Sequence, residues 1–184
     1  FSYKITFKKT GISRFLPHQN MLSFFERTFI CAGIPVKFSE GFSPKPRISN
    51  MGALPLGVET YCELISVDLL QELDLSPEGK QKTIQMLSAP FPRGMEIVDI
   101  EPLKEKLSKH FPKAMVYSYT PEAVPEGIME GFRAKTLPTV CNHRGQEINL
   151  NEHILDLDVQ NKTIFAKIKC NNQGATASPF SIFS

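Results

Sequence analysis

The chain has 184 residues, 41% hydrophobic and 22% charged, with a formal net charge of +2. That is room and composition for one large globular domain or two small ones with real cores. No apolar run approaches the roughly 20 residues that cross a bilayer, and no charged-then-apolar leader opens the chain. A cytoplasmic protein without a membrane partner is therefore expected.

"YKITFKK" (3–9) sets Tyr3, Ile5 and Phe7 against Lys4, Thr6 and Lys8, the two-residue period of a half-buried strand. Gly11 breaks it. From His18 to Ala32, Met21, Leu22, Phe25, Phe29 and Ala32 recur at helical spacing, with Pro17 suited to the start and Gly33 and Pro35 to the end. "PVKF" (35–38) reads as a short strand, and "YCELISVDL" (61–69) as a longer one with Tyr61, Glu63, Ile65, Val67 and Leu69 on one face. "SPEGKQKTIQMLSA" (76–89) starts a helix with Ser76 as N-cap and Pro77 at the first position. "GMEIVDIEPL" (94–103) is the next strand. This order predicts a ferredoxin-like βαββαβ unit over 1–102, an antiparallel four-stranded sheet with two helices on one face, in an α+β chain.

The rest predicts a linker at 103–113, with "LKEKLSKHF" as short helix or connector, then a smaller α+β unit over 114–170. Its expected elements are a strand "AMVYSYT" (114–120), a helix-like "PEAVPEGIMEGF" (121–132) interrupted by Pro125, Gly127 and Gly131, and an edge strand "KTLPTVCN" (135–142). A hairpin over 152–170 is expected to turn at Gln160-Asn161. The unit is a candidate degenerate copy of the first. Residues 171–184 have the composition of a loop or disordered tail.

Charge is unevenly spread. Residues 1–50 carry eight lysines and arginines against two glutamates, a surplus of +6, so the remaining 134 carry −4. Such a segment attracts phosphates. Lys9, Arg14, His18, Phe42, Lys45 and Arg47 are the candidate anion- and RNA-binding residues. His18 opens the first helix, where free backbone N–H groups favour anions, and Arg14 stands four residues before it. Imidazole also makes His18 the one weak catalytic candidate. Arg27 lies 2.5 turns on, facing elsewhere, and reads as structural. In "GFSPKPRISN" (41–50), Pro44 and Pro46 stiffen a loop whose Lys45, Arg47, Ser43 and Ser49 share a face when extended. Phe42 suits stacking on a base, but pinning the loop to the core is the preferred reading for it. Tyr61, Glu59 and Glu63 are weaker candidates, as acceptors from a base edge.

No Walker loop, Rossmann glycine pattern, His-Glu-x-x-His or nucleophile elbow is present. Cys31, Cys62, Cys141 and Cys170 are scattered, without Cys-x-x-Cys or iron–sulfur spacing. Cys141 and His143 lack the further ligands zinc needs. Reduced thiols acting as small hydrophobes, no metal and no cofactor are expected.

Residues 8–60 resemble the bacterial radical-SAM-linked protein family, a domain of unknown function. The resemblance rests on "KTG" (9–11), "RFL" (14–16), His18, Arg27, "AG" (32–33), "GF" (41–42), Pro44, "PRIS" (46–49) and "PLGVE" (55–59), and weakens towards residue 170. Pro17 replaces the family's usual serine, Asn20 its aspartate and Lys45 its histidine. Loss of that acid and that histidine argues against catalysis and leaves anion binding intact. The family lies beside or fused to radical-SAM proteins, and some members are joined to a ribonuclease E/G-type region. This implies work on RNA, including tRNA, with a radical-SAM partner. The chain lacks Cys-x-x-x-Cys-x-x-Cys, so it is not that enzyme. The expectation is a non-catalytic RNA-binding accessory module. Alternatives are a metal-independent endoribonuclease using His18, akin by fold analogy to CRISPR-repeat endoribonucleases, and a module that docks the radical-SAM enzyme.

Overall fold

The computed structural model describes residues 1–50, 54–105, 112–141, 145–171 and 176. The chain divides into two compact units, Phe1–His110 and Phe111–Ser184, each with its own hydrophobic cluster.

Unit 1 is organised by β1 (Ser2–Lys9), whose alternation buries Tyr3, Ile5, Phe7 and Lys9. A 3-10 turn (Gly11–Phe15) leads to α1 (His18–Cys31). Pro17 stands at the N-cap and caps with no side chain. Met21, Phe25, Thr28 and Phe29 form the buried stripe of α1. Phe25 meets Phe7 edge-on at 5.0 Å and Phe91 at 5.2 Å between ring centroids. α1 ends where Gly33 takes a left-handed φ of 68°.

β2 (Ile48–Asn50), β3 (Thr60–Asp68), α2 (Pro77–Ser88) and β4 (Met95–Pro102) complete the unit. Ser76 Oγ accepts from the Gly79 N–H at 3.2 Å, with Pro77 following, so α2 starts where its cap predicts. The sheet is antiparallel with strand order β2-β3-β1-β4. Both helices contribute to one cluster with its buried face, through Phe25, Phe29 and Leu87. The 3-10 turn is tied to the start of β4: the Thr10 N–H donates to the Gly94 carbonyl at 2.8 Å, and Ser13 Oγ donates to the Arg93 carbonyl at 2.7 Å. Gly94 has φ 94°, and a Cβ there would lie 2.1 Å from the Thr10 carbonyl oxygen. Only glycine fits that approach.

One expected strand is corrected. "PVKF" (35–38) forms only isolated bridges, Val36 to Leu69 and Phe38 to Pro46, and the strand paired to β3 is Ile48–Asn50. Pro35 and Pro46 bring no N–H, so this part of the chain cannot build a continuous ladder.

Unit 2 contains β5 (Ala114–Tyr119), α3 (Ile128–Ala134), β6 (Thr139–Cys141), β7 (Glu147–Asn149), α4 (Leu150–His153), β8 (Ile154–Gln160) and β9 (Thr163–Lys169). Its sheets have orders β5-β9-β8 and β6-β7, so among the described residues it does not repeat the topology of unit 1. The helix expected over 121–132 is confined to Ile128–Ala134, because Pro125 and the left-handed Gly127 precede it. The 152–170 hairpin turns at Asn161-Lys162, one residue later than expected, with φ 48° and 64°. Positions 106–111, within the expected linker, lie outside the described residues, as do His143 and nearly all of 172–184. The chain is α+β with antiparallel sheets. Among the described residues no helix is long and apolar enough to cross a membrane. The cysteines are free, but Cys31, Cys62 and Cys141 are exposed, and only Cys170 is the buried small hydrophobe expected.

Phe25 is fully buried and Phe42 fully exposed. Phe25→Ala is expected to lower the stability of unit 1 by about 3–5 kcal/mol, and Phe42→Ala by less than about 0.5 kcal/mol. Native-state hydrogen exchange of the β1 amides measures both.

Candidate functional site

The six candidate residues fall into two places in unit 1. Phe42, Lys45 and Arg47 belong to an irregular hairpin that runs into β2. The Arg47 N–H donates to the Lys37 carbonyl and the Ser39 N–H to the Lys45 carbonyl, both at 2.8 Å. The Lys45 N–H in turn donates to Ser39 Oγ at 3.0 Å. These bonds and the two prolines hold the tip in shape. Lys37, Phe42, Lys45 and Arg47 are all exposed there. Phe42 does not pin the loop to the core, contrary to the preferred sequence reading. Its ring projects wholly into solvent at the tip, while Phe38 is the partly exposed aromatic at the base.

Arg47 is not a free cation. Its Nη1 lies 3.7 Å from Asp68 Oδ2, and Asp68 also accepts from Ser2 Oγ at 2.7 Å. Ile48 packs on the core and Asn50 bonds His18, so strand alternation sets Arg47 and Ser49 on the face of β2 away from the helices. The pair is partly exposed and worth less than about 1 kcal/mol.

Lys9, Arg14 and His18 gather at the other end of β2, around the start of α1. Lys9 is only 3% exposed, the fourth inward position of β1. Glu63 of β3, on the same face, is 8% exposed. Its Oε2 is shut off from water and has no hydrogen-bond partner. Among the described residues no ion pair joins Lys9 to Glu63. Burial pushes the Glu63 carboxyl up to about 7, against the opposing pull of the Lys9 charge. Burial and then Lys9 hold the His18 imidazole below its ordinary value. His18 Nδ1 lies 3.1 Å from Asn50 Nδ2, which as a donor fixes Nδ1 as acceptor and leaves the proton on Nε2.

Arg14 sits at the margin of this group. Glu59 Oε1 accepts from the Gly11 N–H at 2.8 Å and lies 3.4 Å from Arg14 Nη1. The Arg14 guanidinium stacks on Phe15 at 4.9 Å from the ring centroid, while its Nε has no acceptor. Glu59 is therefore a positioning partner for Arg14. Glu63 and Asn50 are the members that the sequence reading left weak or passed over. The face assigned to Glu63 beside Ile65 and Val67 was the available signal. Among the described residues no group of His, Cys, Asp and Glu is arranged to hold a metal ion.

The raised Glu63 carboxyl makes stability depend on pH. Between the unfolded value near 4.5 and the folded value of about 7, the folded state holds the extra proton. Stability is therefore full below about 4.5 and falls as pH rises through about 7. Glu63→Gln removes this dependence. Compared by urea unfolding at pH 4.5 and pH 8, the variant should gain on wild type by about 3 kcal/mol towards the higher pH. A difference that does not change with pH would contradict the burial of a proton-binding carboxyl.

No curated protein matches the chain. Residues 2–179 match a family described as "Uncharacterized protein conserved in bacteria (DUF2344)". With nearly the whole chain covered, the protein belongs to that bacterial family.

Proposed function

We propose that this protein is a non-catalytic RNA-binding module, acting on single-stranded RNA such as a tRNA loop, beside a radical-SAM partner. One observation carries the reading: Phe42 stands fully exposed at the tip of a hydrogen-bonded hairpin with Lys37, Lys45 and Arg47 around it. Stacking of a base on an exposed ring, with cations along the backbone, is how single strands are held without regard to sequence. The fixed hairpin lowers the ordering cost of binding. The radical-SAM partner rests on the family resemblance of residues 8–60. The ferredoxin-like assignment of unit 1 is supported by its strand order β2-β3-β1-β4 and by its two helices sharing one core with the sheet.

A docking role for the same region has one specific observation in its favour. A shallow apolar groove of about 340 Å³ lies between the end of α1 and the hairpin base, lined by Ile30, Gly33, Pro35 and Phe38 among others. Ile30→Glu should release a protein partner bound there and leave RNA affinity unchanged.

RNA binding is tested by polarisation titration of a labelled single-stranded oligonucleotide across a salt series. Phe42→Ala should weaken binding roughly 5- to 150-fold, from about 1–3 kcal/mol of stacking per base. Lys45→Ala should reduce the salt slope by about one. No binding at low salt, or affinity indifferent to both substitutions, would remove this reading. Intact RNA after long incubation is the expected result for a non-catalytic module.

A further inference from the structure

We propose that β5 is the interface of a homodimer, pairing antiparallel with the β5 of a second copy about a two-fold axis at Val116. β5 runs against β9 in unbroken register from Ala114 opposite Lys169 to Tyr119 opposite Ile164, and just before it the Cys170 N–H donates to the Lys113 carbonyl at 2.9 Å. Antiparallel pairs alternate between bonded and unbonded. Met115, Tyr117 and Tyr119 therefore direct their backbone groups to β9, and Ala114, Val116 and Ser118 direct theirs to the open edge of the sheet. Among the described residues no backbone group bonds to that edge. Thr176, the last described residue, bridges Cys170 from the other side of β9, because Lys113 occupies the near side.

Open edges in this protein are otherwise guarded. β2 is three residues long and follows prolines and basic side chains. β4 carries Glu96, Asp99, Glu101 and Pro102. β8 carries Asp156 and Asp158, with a register shift beside them. β5, "AMVYSY", has no charge, no proline and no bulge. Its Val116 is 67% exposed, on the face away from the core, since Met115 and Tyr117 stand opposite the buried Ile168 and Ala166.

The occupant that fits this edge is the same strand. With Val116 opposite Val116 of the second copy, Ala114 falls opposite Ser118, and each such pair exchanges both of its N–H···O bonds. Met115 falls opposite Tyr117 in the closely spaced unbonded position, an apolar contact on the inner face. Lys113 falls opposite Tyr119, so no like charges meet, and Pro112 and Pro121 end the ladder on either side. A strand from another protein needs a matching sequence, whereas a second copy supplies the match by symmetry. The joined sheet then has the acidic β8 at both outer edges, which stops growth at two copies. A ladder along one short strand is a small interface, so the dimer is concentration-dependent rather than obligate.

Sedimentation velocity of the full chain, in a series up to about 1 mM, should show a monomer–dimer equilibrium. Val116→Pro removes an N–H that points to the open edge and none from the β5–β9 ladder. The variant should keep a folded amide spectrum and dimerise roughly 5- to 150-fold more weakly, through the bonds lost at both copies of position 116. Val116→Lys and Val116→Glu should each weaken the dimer, Val116→Lys more so because Lys167 stands opposite position 116 in each copy. An equimolar mixture of the two should restore association as a mixed dimer, since position 116 then faces the opposite charge. A monomer throughout the series overturns the proposal. So does a dimer that neither Val116→Pro nor Val116→Lys weakens, or a mixture that associates no better than its components.

Discussion

The two-residue period of β1 is the constraint on which unit 1 depends. As an inner strand of the order β2-β3-β1-β4, it supplies ladder bonds to both neighbours and one row of the core. Its first three inward positions are Tyr3, Ile5 and Phe7, and α1 closes over them through Phe25. Tyr3 also contributes its hydroxyl, which accepts the Leu73 N–H at 2.8 Å and so secures the chain after β3. The period then carries Lys9 inward as the fourth member. A strand cannot turn one side chain out without reversing all the others. Lys9 is therefore buried by the same geometry that buries Phe7, and the Glu63 carboxyl and His18 answer to it.

Charge in this unit is mostly matched locally. Lys4 pairs with Glu101 at 2.6 Å, and Lys8 with Glu96, across β1 and β4 on the face away from the helices. Lys80 pairs with Asp99, Arg14 with Glu59 and Arg47 with Asp68. Such exposed pairs add little stability, but they remove most of the field that a surplus of +6 over residues 1–50 implies. Among the described residues, Lys37 and Lys45 of the hairpin make no ion pair. The exposed Arg27 of α1 makes none either, so a count of charges along the sequence overstates the field mainly where these pairs form.

The regular elements of unit 1 were legible because each has one dominant local signal. The periods of β1 and β3, the apolar stripe of α1 and the Ser76-Pro77 start of α2 place those elements within a residue or two. Segments held by long-range bonds were not legible. β2 exists because β3 presents a free edge, and three residues between prolines and a turn carry no period of their own. In unit 2, Pro125 and Gly127 were legible as interruptions of the helical stretch, but not that the helix would form only after them, from Ile128. The candidate residues were legible as types and not as a constellation. Nothing local shows that Arg14 and Arg47 each meet a carboxylate about 45 or 21 positions away. Lys9 is the exception: it continues the Tyr3-Ile5-Phe7 period, so the alternation by itself places it inward.

The hairpin also has an explanation that needs no ligand. β2 is an edge strand, and prolines with basic residues at an edge block pairing with other chains. That accounts for Pro44, Pro46, Lys45 and Arg47. It does not account for Phe42, since a large exposed ring at the tip of an edge hairpin invites the association that the prolines and charges prevent. Edge protection and binding thus make opposite demands on this one position.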